Sequence, residues 1–202
     1  MPDETTNVRI AGRGGQGVML AAFLLAQAAM QDGLHVVQTQ SYGPEARLGA
    51  AKSDVILSSA EIAYPEVLAP DVFLCLSHDA VVAYAQGVEA GAVSVVDERA
   101  ALGFETDGWI LLPLMQAARE CGAALATNIV GLGALVGITG LVSERSMQEA
   151  LATRVAPDSL ALNTKALAAG LRLAATASER DGAVHGVTCA KAAEAGAYSP
   201  SG

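Results

Sequence analysis

Aromatic residues make up only 4% of this 202-residue chain, so its core volume has to come from alanine, leucine, valine and glycine. Charge is scarce as well: charged residues are 16% and the formal net charge is −9. Nucleic-acid binding rests on lysine and arginine neutralising phosphates, and this balance argues against it. An anionic ligand would need a local exception, for which Arg13, Arg47 and Lys52 are the candidates. The three cysteines, Cys75, Cys121 and Cys189, show no metal-type spacing and no C-x-x-C pair. That pattern excludes a resident iron–sulfur cluster and a disulfide framework and points to a reducing compartment. No apolar run is long enough to span a bilayer, and residues 1–7 are polar and acidic, unlike a secretory signal. Together these absences predict a cytoplasmic protein without a membrane partner. What is abundant is apolar surface, at 52% of residues, enough for one domain with a sizeable core.

The chain is organised around Val8-Arg9-Ile10-Ala11-Gly12-Arg13-Gly14-Gly15-Gln16-Gly17-Val18. A short apolar run leads into a glycine-rich loop, and an alanine-rich segment to Met30 follows. The order predicts strand, tight loop, helix. Such a loop lets a ligand or a second backbone approach closely, and the helix N-terminus offers unpaired N–H groups to an anion. Gly12-x-Gly14-x-x-Gly17 matches the dinucleotide fingerprint in that context. The fingerprint also wants an acid at the end of the second strand. Here that place holds Gln38-Thr39-Gln40, and Asp32, at a comparable spacing, belongs to the helix end. The loop therefore reads as a ligand contact or as a tight turn packed against another chain, with neither preferred.

Further along, strands are expected at 35–40, 53–58, 71–76, 92–96 and 109–112. Residues 61–68 are expected to form a connector with a helical turn. Helices are expected at 79–86, 114–121, 127–138, from Ser143 to Arg154, and from Ser159 to about Ala177. Continuous apolar strands alternating with helices indicate an α/β, Rossmann-like, doubly wound and mainly parallel sheet, covered on both faces, with a helical last third. The expected domain spans 1–177, with 178–202 a flexible tail.

Ser41-Tyr42-Gly43-Pro44-Glu45-Ala46-Arg47-Leu48-Gly49 follows the second strand and would lie beside the glycine loop. Tyr42, Glu45 and Arg47 could converge there, although on residue types alone a solvated loop with an internal Glu45–Arg47 pair is favoured. His78 reads as a helix start rather than a base, and Cys75 as a buried, inert thiol. Asn128, Gly131, Gly133 and Gly137 form a small-residue helix face, suited either to a second helix or chain or to the protein's own sheet. No nucleophile, base and orienter assemble from these residues.

In series, Gly12-Arg13-Gly14-Gly15-Gln16-Gly17 and Ser41-Tyr42-Gly43-Pro44-Glu45-Ala46-Arg47 resemble the G-x-G-G-Q-G and S-Y-G-x-E-x-R motifs of the gamma subunit of the 2-oxoacid:ferredoxin oxidoreductases. Ser53 to Ser58, Pro70-Asp71, Asn128-x-x-x-Leu132-Gly133, Asn163 and Gly170 are similar to further blocks of that family, over about residues 6 to 176. The wording around Arg47 looks most like the 2-oxoglutarate branch. One departure is Leu48, where the family has glycine; a positive φ there would strain leucine.

The resemblance implies a subunit that supports oxidative decarboxylation of a 2-oxoacid to an acyl-CoA and CO2, inactive alone. Alanine- and glycine-rich surfaces left bare without partners predict a symmetric dimer in isolation. It implies no catalytic residue and no metal ligand on this chain. Thiamine diphosphate, magnesium and iron–sulfur clusters are then expected on alpha and beta partners, with delta a further candidate and ferredoxin reached through the complex. Gly12, Arg13, Gly14, Gly15, Gln16, Gly17, Tyr42, Glu45 and Arg47 would meet those partners and help to hold coenzyme A. The alternatives are a free-standing nucleotide-binding protein of the dinucleotide type and a purely structural assembly module.

Overall fold

The computed structural model describes residues 5–41 and 49–181. Tyr42, Glu45, Arg47 and Leu48 lie outside the described residues, as does 182–202 of the expected tail.

Six strands form one sheet: β1 (Thr5–Arg13), β2 (His35–Ser41), β3 (Ala50–Ser58), β4 (Val72–Cys75), β5 (Val93–Asp97) and β6 (Trp109–Leu112), in the order β2-β3-β1-β4-β5-β6. Pairing is parallel from β1 through β4 and β5 to β6. The mainly parallel sheet expected from the apolar strands is present, but β3 runs antiparallel to both β1 and β2. The reason is the short connection from Ser41 to Ala50: a parallel crossover takes about a dozen residues or more. β3 thus inserts between β1 and β2, and β2 becomes an edge.

The alanine-rich segment forms α1 (Val18–Gln31), ended by Asp32 and by Gly33 at φ 85°. The other helices are α2 (His78–Tyr84), α3 (Leu114–Cys121), α4 (Thr127–Thr139), α5 (Glu144–Arg154) and α6 (Pro157–Asp181). The final helix runs one turn past Ala177. No helical turn forms in 61–68, a correction to the sequence reading. Pro65 disfavours helical backbone at Tyr64.

The two faces of the sheet differ. Val8, Ile10, Leu74 and Val95 point into a large apolar core beneath α1, α3, α4, α5 and α6. Ala11, Phe73, Cys75 and Val96 point the other way, into a small core under α2 and residues 100–101. On that thinner side Arg9 and Asp54, both 5% exposed, form a bidentate pair at 2.8 and 3.0 Å. Arg9 also donates to the Val67 carbonyl, which ties down the connector.

α4 is buried between the sheet and α6. Gly131 approaches Leu74 and Leu76 on the sheet, while Gly133 and Gly170 bring the α4 and α6 backbones together. A Cβ at Gly170 would collide with the Val130 carbonyl oxygen. Both readings of the small-residue face are therefore realised within one chain.

Candidate functional site

The C-terminal ends of β1, β4 and β5 and the N-termini of α1, α2 and α3 meet at one edge of the sheet. In a parallel sheet this is where ligands bind. A cleft of about 230 Å³ opens there, lined among others by Arg13, Gln16, Ser77, His78, Asp97 and Arg99.

The glycine loop is its rim. Gly12 has no space for a side chain, because a Cβ would stand 2.8 Å from Gln16 Oε1 and 2.9 Å from Val18 Cγ2. Gln16 turns inward: its Oε1 accepts from the Arg13 N–H at 2.6 Å and its Nε2 donates to the Leu76 carbonyl at 3.4 Å. One side chain thereby links the ends of β1 and β4. Gly14 N–H donates to the Gly49 carbonyl at 3.0 Å, so Gly49, just before β3, lies beside the loop. Gly17, at φ 71°, precedes α1, and its carbonyl accepts from Asn128 Nδ2 at 3.0 Å. A Cβ on Gly17 would strike that amide. Gly15 is the exception. At φ 88° it has nothing within 4 Å of where a Cβ would be. Its N–H and that of Gly17 make no hydrogen bond among the described residues.

Charge around the cleft is largely matched. Arg13 donates through Nε and Nη2 to Asp79 Oδ2, at 2.9 and 2.5 Å, on an exposed surface. Asp97 is 1% exposed and accepts from the backbone N–H groups of Arg99 at 3.0 Å and Met115 at 2.8 Å. It thus caps α3, which has no side-chain cap of its own. Ser77 caps α2 by accepting from Ala80 N–H, and His78 begins that helix with its ring centroid 5.2 Å from Phe104. Behind the cleft, burial pushes the Cys75 thiol up to about 12, against 9.0 ordinarily, so this sulfur stays protonated and inert. Among the described residues no group of three or more His, Cys, Asp or Glu could hold a metal ion.

Of the residues singled out from sequence, Arg13 and Gln16 line the cleft, and Gly12, Gly14, Gly15 and Gly17 belong to the same loop. The sequence reading missed Asp97 and Arg99, having ended the fifth strand at Val96. An acid directly after a buried strand, at the ligand edge of a parallel sheet, was the available signal. Asp32 is remote from the loop, at the far end of α1. Its carboxylate accepts from Ser143 N–H at 2.6 Å, Ser143 Oγ at 2.9 Å and Ser146 Oγ at 2.5 Å, fastening the start of α5. A dinucleotide ribose site does not form, because β3 separates the end of β2 from the glycine loop by two strand spacings, about 10 Å.

Comparison with known proteins agrees with this geometry. Residues 7–173 match the family described as pyruvate ferredoxin/flavodoxin oxidoreductase. The 2-oxoglutarate synthase subunit KorC of Methanothermobacter marburgensis is 40% identical over 176 residues, which is 82% of this chain and 95% of that protein. The solved gamma subunit of a keto/oxoacid ferredoxin oxidoreductase from Geobacter sulfurreducens superposes with a TM-score of 0.76 at 35% identity, covering 85% of this chain and 99% of that one. A 2-oxoglutarate:ferredoxin oxidoreductase from Magnetococcus marinus, solved with 2-oxoglutarate, coenzyme A and succinyl-CoA bound, matches with a TM-score of 0.75 at 26% identity. That match covers 86% of this chain but 31% of the other, so the same fold also occurs as one part of a longer polypeptide. The loop geometry, the match along most of the chain and the full-length likeness to a solved gamma subunit agree: this protein is a gamma-type member of the pyruvate ferredoxin/flavodoxin oxidoreductase family.

Proposed function

We propose that this chain is the gamma subunit of a cytoplasmic 2-oxoglutarate:ferredoxin oxidoreductase and that its glycine-loop edge forms one wall of the coenzyme A site. The observation that carries the substrate assignment is the 40% identity to KorC along nearly all of that subunit. The reaction joins a 2-oxoacid and coenzyme A into acyl-CoA and CO2, with the two electrons passing to ferredoxin. Thiamine diphosphate on a partner subunit supplies carbanion stabilisation, and iron–sulfur clusters on partners supply the electron path. This chain's own residues bind and orient.

The size of the cleft supports a shared site. At about 230 Å³ it is smaller than pockets that enclose a whole drug-sized ligand, roughly 300–1,000 Å³. It can receive one end of an elongated molecule, and the remainder has to lie against alpha and beta subunits. Exposed apolar side chains suit such a neighbour: Leu125, just before α4, is 81% exposed and Phe23 on α1 is 41% exposed. Without partners these surfaces favour self-association as a symmetric dimer.

Tyr42, Glu45 and Arg47 complete the proposed wall from the neighbouring stretch. Arg47→Ala removes one charge-assisted contact, worth about 1.5–3 kcal/mol, and is expected to raise the coenzyme A KM roughly ten- to a hundredfold. The assignment is tested by rebuilding the complex from its purified subunits and measuring ferredoxin reduction with 2-oxoglutarate, pyruvate and branched-chain 2-oxoacids. Preference for 2-oxoglutarate, with no turnover by this chain alone, is the expected result. Turnover by the isolated chain, or preference for another 2-oxoacid, contradicts it.

A further inference from the structure

Between Asp79 and Trp109 the chain carries six acids, Asp79, Glu89, Asp97, Glu98, Glu105 and Asp107, and a single cation, Arg99. That cation lines the cleft. Its backbone N–H is committed to Asp97, but among the described residues its guanidinium pairs with no carboxylate. Arg13 is different, since Asp79 already holds it. Asp97 is satisfied by two backbone donors, one of them at the start of α3. Among the charged residues that line the cleft, Arg13 is therefore set against Asp79 and Asp97 against a helix N-terminus, with Arg99 left over among the described residues. An exposed arginine with free donors is suited to bidentate recognition of a phosphate.

Resting on the coenzyme A reading above, we infer that Arg99 is the specificity residue for the terminal phosphate of coenzyme A, and that Arg13 serves to hold the loop against α2. The cleft, too small for the whole cofactor, takes its phosphorylated nucleoside end. The N–H groups of Gly15 and Gly17, which make no hydrogen bond among the described residues, provide uncharged donors. Arg99 provides the charge that distinguishes a ligand carrying the terminal phosphate from one lacking it.

The test uses the rebuilt complex, with coenzyme A and dephospho-coenzyme A as the two probes. The wild-type complex is expected to prefer coenzyme A. Arg99→Gln is expected to raise the KM for coenzyme A about tenfold and that for dephospho-coenzyme A less than twofold, with kcat unchanged. Arg99→Lys, which keeps the charge, is expected to restore part of the preference, a recovery that a merely structural role would not show. An undiminished preference in Arg99→Gln overturns the inference. Failure of the inference differs from failure of the coenzyme A reading: in the first case Gly15→Ala still raises the coenzyme A KM, and in the second neither variant changes it.

Discussion

Two groups of glycines look alike along the chain and do opposite work. Gly133 and Gly170 have ordinary backbone angles and no space, so each is required because a neighbouring backbone occupies the volume of its absent side chain. Gly15 has a positive φ and empty space around it. The first pair closes α4 onto α6 and is consumed by the fold. The loop glycine leaves its N–H without a hydrogen-bond partner among the described residues. A glycine that the fold does not need for packing, at the ligand edge of the sheet, is where function shows itself.

The largest loss of stability is expected on the packed side. Gly170→Ala sets a Cβ against the Val130 carbonyl and the Ala134 backbone, neither of which can turn away as a side chain would. It is expected to cost about 1–3 kcal/mol or more by overpacking, read as a lower denaturation midpoint in urea. Gly133→Ala acts on the same crossing, so the double variant is expected to fall short of the sum. A Gly170→Ala protein of unchanged stability would mean that α4 and α6 do not cross this closely.

Asn128 joins the two regions, since it starts the packed helix and holds the loop by the Gly17 carbonyl. It is 2% exposed. Asn128→Ala is expected to cost about 1–2 kcal/mol through the lost hydrogen bond and to speed hydrogen exchange at Gly15 to Val18. Loss of stability without faster loop exchange would separate the two regions.

Much of this architecture was legible beforehand because local signals agreed with the tertiary outcome. β6 and α3 lie where the apolar pattern placed them, and Ser143 caps α5 through Ser146 N–H at 3.1 Å. The strand at 53–58 was expected, but its antiparallel insertion between β1 and β2 was not, although the short Ser41–Ala50 connection implied it. The partner of α4 was not legible for a physical reason. That helix is apolar around most of its circumference, so no periodicity marks the side that meets α6. Within the site, the glycine loop was readable from its motif. The Arg13–Asp79 pair, 66 positions apart, and the place of Arg99 in the cleft arise only once the strands align.

Cys75 gives an effect that depends on pH, since its environment is again supplied by packing. Its thiol is pushed up from 9.0 to about 12 by burial, so the folded state keeps a proton that the unfolded state releases above pH 9. Stability is expected to fall with rising pH between those two values and to fall less steeply in Cys75→Ala. Denaturant midpoints from pH 8 to pH 10.5 read this slope. Parallel profiles for the two proteins would contradict the burial of the thiol.

The smallest expected change in stability carries the most meaning. Gly15→Ala keeps an open site but places alanine at φ 88°, which costs about 1 kcal/mol and leaves the chain folded. The decisive measurement is the coenzyme A KM of the complex rebuilt with this variant, with sedimentation of the same sample to establish assembly. An assembled complex whose KM has risen about tenfold is expected, because the loop no longer offers its N–H groups in the same direction. An assembled complex with an unchanged KM would contradict it and would leave the loop as packing alone.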